Sequence, residues 1–163
     1  MGRNKIHNTS IFIFRRDLRV HDNTGLRAAL ASSETVIPTF IFDPRQVGEK
    51  NTYRSTNAIQ FMIEALQNLD TTLSDRGARL HVWHGLAHEV VDQLLHKTQA
   101  EAVYVNRDYT PFSRMRDQRI EEVCARHGTY LYSYHDILLH EPEEISTQKG
   151  TPYQVFTPFY KNA

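Results

Sequence analysis

The chain has 163 residues, 40% of them hydrophobic and 23% charged, which fits one globular domain able to bury a core without staples. Its 19 Lys and Arg balance 19 Asp and Glu, so the whole lacks the basic excess of a nonspecific nucleic-acid clamp. A single cysteine, Cys124, excludes an intrachain disulfide and suits a reducing compartment. Residues 1–10 are polar and make no secretory signal, and no run is apolar enough to span a membrane. A cytoplasmic location is expected, or a nuclear one if the source is a eukaryote.

Two periodicities alternate along the chain. Ile11-Phe12-Ile13-Phe14 is wholly apolar, and residues 36–42 are apolar apart from Thr39, with Pro38 lowering the strand signal. Ala102-Val103-Tyr104-Val105 is a third such run, while Leu80-His81-Val82-Trp83 and Tyr130-Leu131-Tyr132 are weaker strands. Apolar runs of this length suit strands buried on both faces.

Helical patterns lie between them. Asp22-Asn23-Thr24 offers caps before a short helix over residues 26–30. Ser55 caps a helix to about Ser74, striped by Ile59, Ile63, Leu66, Leu69 and Leu73. Leu86, Val90, Val91, Leu94 and Leu95 form the next stripe. Pro111 opens a helix carrying Met115, Ile120, Val123 and Cys124, and Gly128 stops it. The order β-α-β-α-β-α-β-α-β predicts an α/β fold. It is a doubly wound, five-stranded parallel sheet with helices on both faces, Rossmann-like, in strand order 3-2-1-4-5. Trp83, the only tryptophan, falls in a strand and reads as core.

The pattern stops after Tyr134. Residues 135–163 hold Pro142, Pro152 and Pro158 among Ile137, Leu138, Leu139, Tyr153, Phe156, Phe159 and Tyr160. The segment is too apolar for a disordered tail. Residues 153–160 are expected to lie against the sheet or a second copy. The charge clusters Arg15, Arg16 and Arg19, then Arg107, Arg114, Arg116 and Arg119, then Asp136, Glu141, Glu143 and Glu144, read first as solvated surface.

Ligands of open α/β sheets bind outside the strand carboxyl ends, which directs attention to loops starting at Arg15, Asp43, Gly85 and Asn106. Neither GxGxxG nor GxxxxGK[ST] occurs. An anion could meet the helix start near Asn23, but Asp17 and Asp22 oppose it. Asn106-Arg107-Asp108-Tyr109-Thr110-Pro111-Phe112 sets polar and aromatic groups at a strand end, a composition that suits a planar heteroaromatic ligand or, more plainly, a turn before Pro111. The nine histidines form no metal motif: Gly85 separates His84 from His88, and no HExxH occurs. Cys124 reads as an inert buried thiol, no serine sits in a GxSxG elbow, and no carboxylate pair stands out. No catalytic residue and no metal ligand is assigned.

Three segments together carry a resemblance. Phe14-Arg15-Arg16-Asp17-Leu18-Arg19-Val20-His21-Asp22-Asn23 resembles the amino-terminal signature of DNA photolyases and cryptochromes, F-R-x-D-L-R-x-x-D-N. The loop 106–112, followed by Arg116-Asp117, is similar to that family's loop after the fourth strand. Tyr153-Gln154-Val155-Phe156-Thr157-Pro158-Phe159 resembles the segment Y-x-V-F-T-P-F that closes the family's amino-terminal domain. Asp43-Pro44-Arg45 adds a weaker point. The match runs through nearly the whole chain in order.

The resemblance implies an amino-terminal antenna domain over residues 1–134, most like that of a cyclobutane pyrimidine dimer photolyase. Residues 135–163 would lead to the interdomain linker. The large helical domain that binds FAD and the flipped-out dimer would be absent, so this chain alone would not be an enzyme, whereas its full-length parent would repair damaged DNA with light. The same domain of a cryptochrome photoreceptor, and a free-standing nucleotide-binding α/β domain, are the alternatives. A pure interaction module, binding through its aromatic tail, is a further one. The implied partners are the helical domain and, through it, damaged DNA, with no membrane and no metal. The chromophore cleft is expected around Arg15, Phe40, Asp43, Asn57, Asn106 and Asp108. Asp108 matches an aspartate that meets deazaflavin, and Phe40 an aromatic wall. Asn57 stands where deazaflavin users place an arginine, and Phe112-Ser113 replaces the Asn-Glu pair of folate users. Deazaflavin or flavin is thereby favoured over folate.

Overall fold

Phe12 and Phe14 point to one side of a strand and Ile11 and Ile13 to the other, and all four are buried. In the computed structural model, which describes residues 5–141, 144–147 and 149–162, this strand is β1 (His7–Phe14), at the centre of the sheet. Residues 1–4 of the polar amino terminus, Pro142, Glu143, Gln148 and Ala163 lie outside the described residues.

Chain order continues with α1 (Thr24–Ser32), β2 (Ser33–Phe42), α2 (Pro44–Val47), α3 (Thr56–Ser74), β3 (His81–His84), α4 (Ala87–Thr98), β4 (Ala102–Asn106), α5 (Pro111–Arg126), β5 (Tyr130–Tyr134) and α6 (Phe156–Asn162). All four strand pairings are parallel, as the alternation of periods predicts, and the order β3-β2-β1-β4-β5 is the expected one. The sheet separates two cores. Ile11, Ile13, Val103 and Val105 meet Val90, Val91, Leu94, Ile120 and Val123 of α4 and α5. Phe12, Phe14, Phe40 and Tyr104 meet Leu26 and Ala29 of α1 and Leu66, Leu69 and Leu73 of α3. Burial on both faces explains why β1 and β4 read as unbroken apolar runs.

Several elements differ from expectation, each for a local reason. Pro38 sits inside a non-edge strand. It lies opposite Phe12, one residue before β2 begins to pair with β3 at Thr39, so no ladder stands on its outer side to lose a donor. Asp43 caps the unforeseen α2: its Oδ1 accepts from the Arg45 amide at 2.9 Å, and Pro44 fills the first turn. On α3, Ile63 is 38% exposed, because the inward stripe runs through Met62, Leu66, Leu69 and Leu73 and leaves Ile63 beside it. Met115 likewise faces out at 45%. Trp83 is only half-buried, packed against the α4/α5 core with the Lys97 ammonium 5.4 Å over its ring. Residues 153–160 do not lie on the sheet. Phe156 stacks on Tyr160 at 5.8 Å and Phe159 meets Tyr153 edge-on at 6.4 Å, within and beside a short helix that carries Pro158 in its first turn.

Candidate functional site

The carboxyl ends of β1 and β2, the first turns of α3 and the inner face of α5 enclose a cleft of about 440 Å³. That volume falls among small-molecule sites, which run from about 300 to 1,000 Å³. Ile13, Phe40, Ile41, Ile59 and Ile120 make its depth apolar. Arg15, Arg16, Asp43, Asp108, Ser113 and Arg116 supply polar groups, and the α2–α3 connection adds Asn51, Tyr53 and Arg54 at its mouth.

One wall is fixed by a buried polar network. Asp17, Asn23 and Asn106 are each at most 3% exposed. Asp17 Oδ1 accepts from the Arg15 amide at 2.7 Å and its Oδ2 from Asn23 Nδ2 at 3.1 Å. Asn106 Nδ2 donates to that same Oδ2 and to Asn23 Oδ1, the latter at 2.9 Å. The first amides of α1 are consumed in the same way. Thr24 N–H donates to Asp136 at 2.8 Å, Gly25 N–H to Asn106 Oδ1 at 2.9 Å and Leu26 N–H to Asn23 Oδ1 at 3.0 Å. The helix start therefore has no amides to offer an anion. Gly25 is required by closeness: a Cβ there would lie 2.6 Å from Asn106 Oδ1.

A second cluster underlies the cleft. The Arg15 guanidinium donates to both Asp117 oxygens, at 2.9 and 2.7 Å, and to the Asn106 carbonyl at 3.1 Å. Arg116 Nε donates to the same carboxylate at 2.9 Å. Two buried guanidinium groups thus share one carboxylate. Burial, and then the facing charge of Arg116, push Arg15 down to about 10.

The two carboxylates of the lining are held as anions. Burial raises the Asp43 carboxyl, but the hydrogen bonds and charge of Arg45 outweigh it, and the net shift is downward. Arg45 also stacks 4.9 Å over Phe112. Asp108 behaves alike: burial opposes ionisation, whereas Ser113, the Tyr109 and Thr110 amides and the Arg16 charge, 3.7 Å away, bring it below its usual range.

Of the residues singled out in the sequence, Arg15, Phe40, Asp43 and Asp108 come together on the cleft lining. Asn106 does not line it; its side chain is spent on Asp17, Asn23 and Gly25. Asn57 is exposed and absent from the lining, although its neighbours Ser55 and Ala58 contribute. Sequence reasoning missed Ser113 and Arg116 as lining groups. Their signal was a buried polar spacing, since Ser113, Arg116 and Ile120 fall at i, i+3 and i+7 of α5 and share its inward face. Among the described residues, no three His, Cys, Asp or Glu stand where they could hold a metal, and no helix is long and apolar enough to cross a membrane. Burial pushes the Cys124 thiol up to about 12, far from a reactive thiolate.

Comparison with known proteins adds the context of this cleft. Residues 10–163 match the DNA photolyase family. The chain is 36% identical over 152 residues to a deoxyribodipyrimidine photo-lyase of Synechococcus, covering 93% of this chain and 31% of that protein. It is 33% identical over 159 residues to cryptochrome-2 of Arabidopsis thaliana, covering 96% of this chain and 25% of that protein. Among solved structures, the archaeal photolyase of Sulfolobus tokodaii, crystallised with two FAD molecules, is 46% identical with a TM-score of 0.85, over 94% of this chain and 34% of its own. The chain thus spans about a third or less of the length of these relatives. With the signature loop knitted into the cleft wall and the family match extending over nearly all its residues, this chain belongs to the DNA photolyase family, as an amino-terminal domain.

Proposed function

We propose that the cleft holds a planar light-absorbing cofactor, flavin or deazaflavin in preference to folate, and that this domain serves as the antenna of a light-driven DNA-repair protein. The observation that carries the reading is the cleft's make-up: an apolar depth of Ile13, Phe40, Ile59 and Ile120, with a few fixed polar groups at its edges. The likeness to the photolyase crystallised with two FAD molecules supports a flavin. The residues fit such a ring. Phe40 and the isoleucines supply flat apolar contact, while Asp43 and Asp108, kept ionised, accept from ring N–H groups.

When bound, the chromophore would supply absorption in the near-ultraviolet or blue and pass its excitation to a second flavin. What this chain does is bind, orient and keep water from the ring. The catalytic FAD pocket and the surface for damaged DNA belong, in this reading, to the remaining two thirds of a protein as long as the relatives, in the cytoplasm or nucleus. The likeness to cryptochrome-2 favours a second reading, in which the same domain serves a light receptor. A free-standing phosphate-binding domain is disfavoured because the amides of α1 are already occupied.

The test is the absorbance spectrum of the freshly purified chain, followed by equilibrium dialysis against FAD, FMN, a deazaflavin and a reduced folate. Saturable binding of a flavin or deazaflavin at micromolar concentration is expected. Binding of folate alone, or of none of the four, overturns the reading.

A further inference from the structure

Arg116 is the most pointed feature of the cleft. Its side chain is only 9% exposed, yet it lines the cavity beside Ile13, Ser113 and Ile120. Its Nε is satisfied by Asp117, but Nη2 is shielded from solvent and has no acceptor among the described residues. A buried cationic donor without a partner is costly. The lining carboxylates are already paired, Asp43 with Arg45 and Asp108 with Arg16, so neither is left for Arg116 Nη2. Asp117 meets Arg116 only at Nε, and its two oxygens also accept from Arg15. Two guanidinium groups share one carboxylate where α5 lines the cleft with Ser113, Arg116 and Ile120, whereas Tyr53 and Arg54 on the lining are exposed.

Resting on the reading of the cleft as a chromophore site, we infer that Arg116 is its recognition donor: it takes a carbonyl oxygen on the edge of the cofactor's ring, which enters ring-first. An isoalloxazine or deazaflavin ring suits this, since it combines flat apolar area with ring carbonyls at one edge. The isoleucines exclude water around the new bond, and a charge-assisted hydrogen bond is strongest there. A phosphate or ribityl chain then stays at the mouth, near Arg54. Arg15 acts differently. Its Nη1 and Nη2 already donate to Asp117 and the Asn106 carbonyl, so it is a positioning residue that holds Asp117, and through it Arg116, in place.

The test is binding of riboflavin and of FAD to the 163-residue chain, by quenching of flavin fluorescence, for the wild type and Arg116→Met. The carbonyl stretch of the bound ring is read alongside by infrared difference spectroscopy at saturation. Both ligands are expected to weaken by the same factor, on the order of 10- to 100-fold, with the stretch moving up toward its free value. Unchanged affinity, or weaker binding with an unmoved stretch, overturns the inference and leaves the cleft reading standing. Weakening confined to FAD places the contact on its phosphates and also overturns it. Failure of the wild type to bind any flavin, deazaflavin or folate removes the cleft reading, and this inference with it. Should Arg116→Met not fold, Arg116→Lys keeps the cation but loses the planar fork. A smaller loss for both ligands, with the same direction of stretch, is then expected, and no change overturns it.

Discussion

Two regions of this molecule invert the usual rule of burial, in opposite senses. Around the carboxyl ends of β1 and β4, Asp17, Asn23 and Asn106 are buried. In the segment after β5, Leu139 is 96% exposed, Phe156 73% and Tyr160 71%. The polar interior is almost fully satisfied, and each group there holds a loop in place. The apolar exterior is satisfied by nothing on the sheet; its rings touch one another. The first inversion is a structural device that shapes a cleft. The second leaves apolar surface of the kind that marks a contact with something else.

The contrast predicts very different responses to mutation. The largest effect is expected at Asn106. Asn106→Ala leaves the Gly25 amide and one Asp17 oxygen short of partners inside the fold, which should destabilise the chain by about 3 kcal/mol. For a domain of this size that lowers the thermal midpoint by roughly 6 to 12 °C. Gly25→Ala should cost about 1–3 kcal/mol, because the new Cβ meets Asn106 Oδ1 at 2.6 Å and that oxygen is already fixed. The double variant sharpens the point. With the amide gone, the methyl has room, so the two losses should sum to less than their separate values. Full additivity, measured by urea unfolding, would show that Asn106 and Gly25 do not share one constraint.

These residues also show what the sequence could disclose. The central strands were legible because burial on both faces leaves no polar residue in Ile11-Phe12-Ile13-Phe14, and the parallel pairing followed from the alternation of strand and helix periods. The caps at Asn23 and Ser55 were equally plain. The role of Asn106 was not. An Asn at a strand end serves a ligand or a loop with the same chemistry, and only the approach of Gly25, 81 positions away, decides for the loop. Asn57 failed for another reason: on α3 the cleft takes the face of Ala58, Ile59 and Met62, and a residue one position earlier turns away from it. The last helix was hidden because Pro142, Pro152 and Pro158 mask any period, although a proline in a first turn does not oppose a helix.

A smaller effect separates the ionised wall of the cleft from its neutral floor. Asp43 is held below its ordinary value of 3.8 in the folded chain. A lowered acid contributes stability that is fully present above the unfolded value and is lost as pH falls through the folded one. Asp43→Asn should therefore lower stability by a constant amount at neutral pH, and the gap to wild type should close only as pH falls below 3.8. Denaturant midpoints for both proteins between pH 2 and pH 7 check this. A gap that persists unchanged at the acid end would assign the loss to the Arg45 Nη2 hydrogen bond, which an Asn amino group cannot accept, rather than to charge.

The smallest effect on stability is expected in the exposed segment, and that is the other half of the comparison. Phe156 and Tyr160 project from α6 and stack on each other at 5.8 Å. Replacing both by Ser removes that contact and no core packing, so the change should stay within about 0.5 kcal/mol and leave the thermal midpoint within about 2 °C. Solution behaviour should change more than stability does. Apolar groups that cover nothing in the monomer drive association, so the double variant should show a lower weight-average mass at high concentration by sedimentation equilibrium. A large fall in thermal midpoint would instead mean that this segment is part of the folded core, and that the two inversions are one cooperative structure rather than a site wall and an uncovered surface.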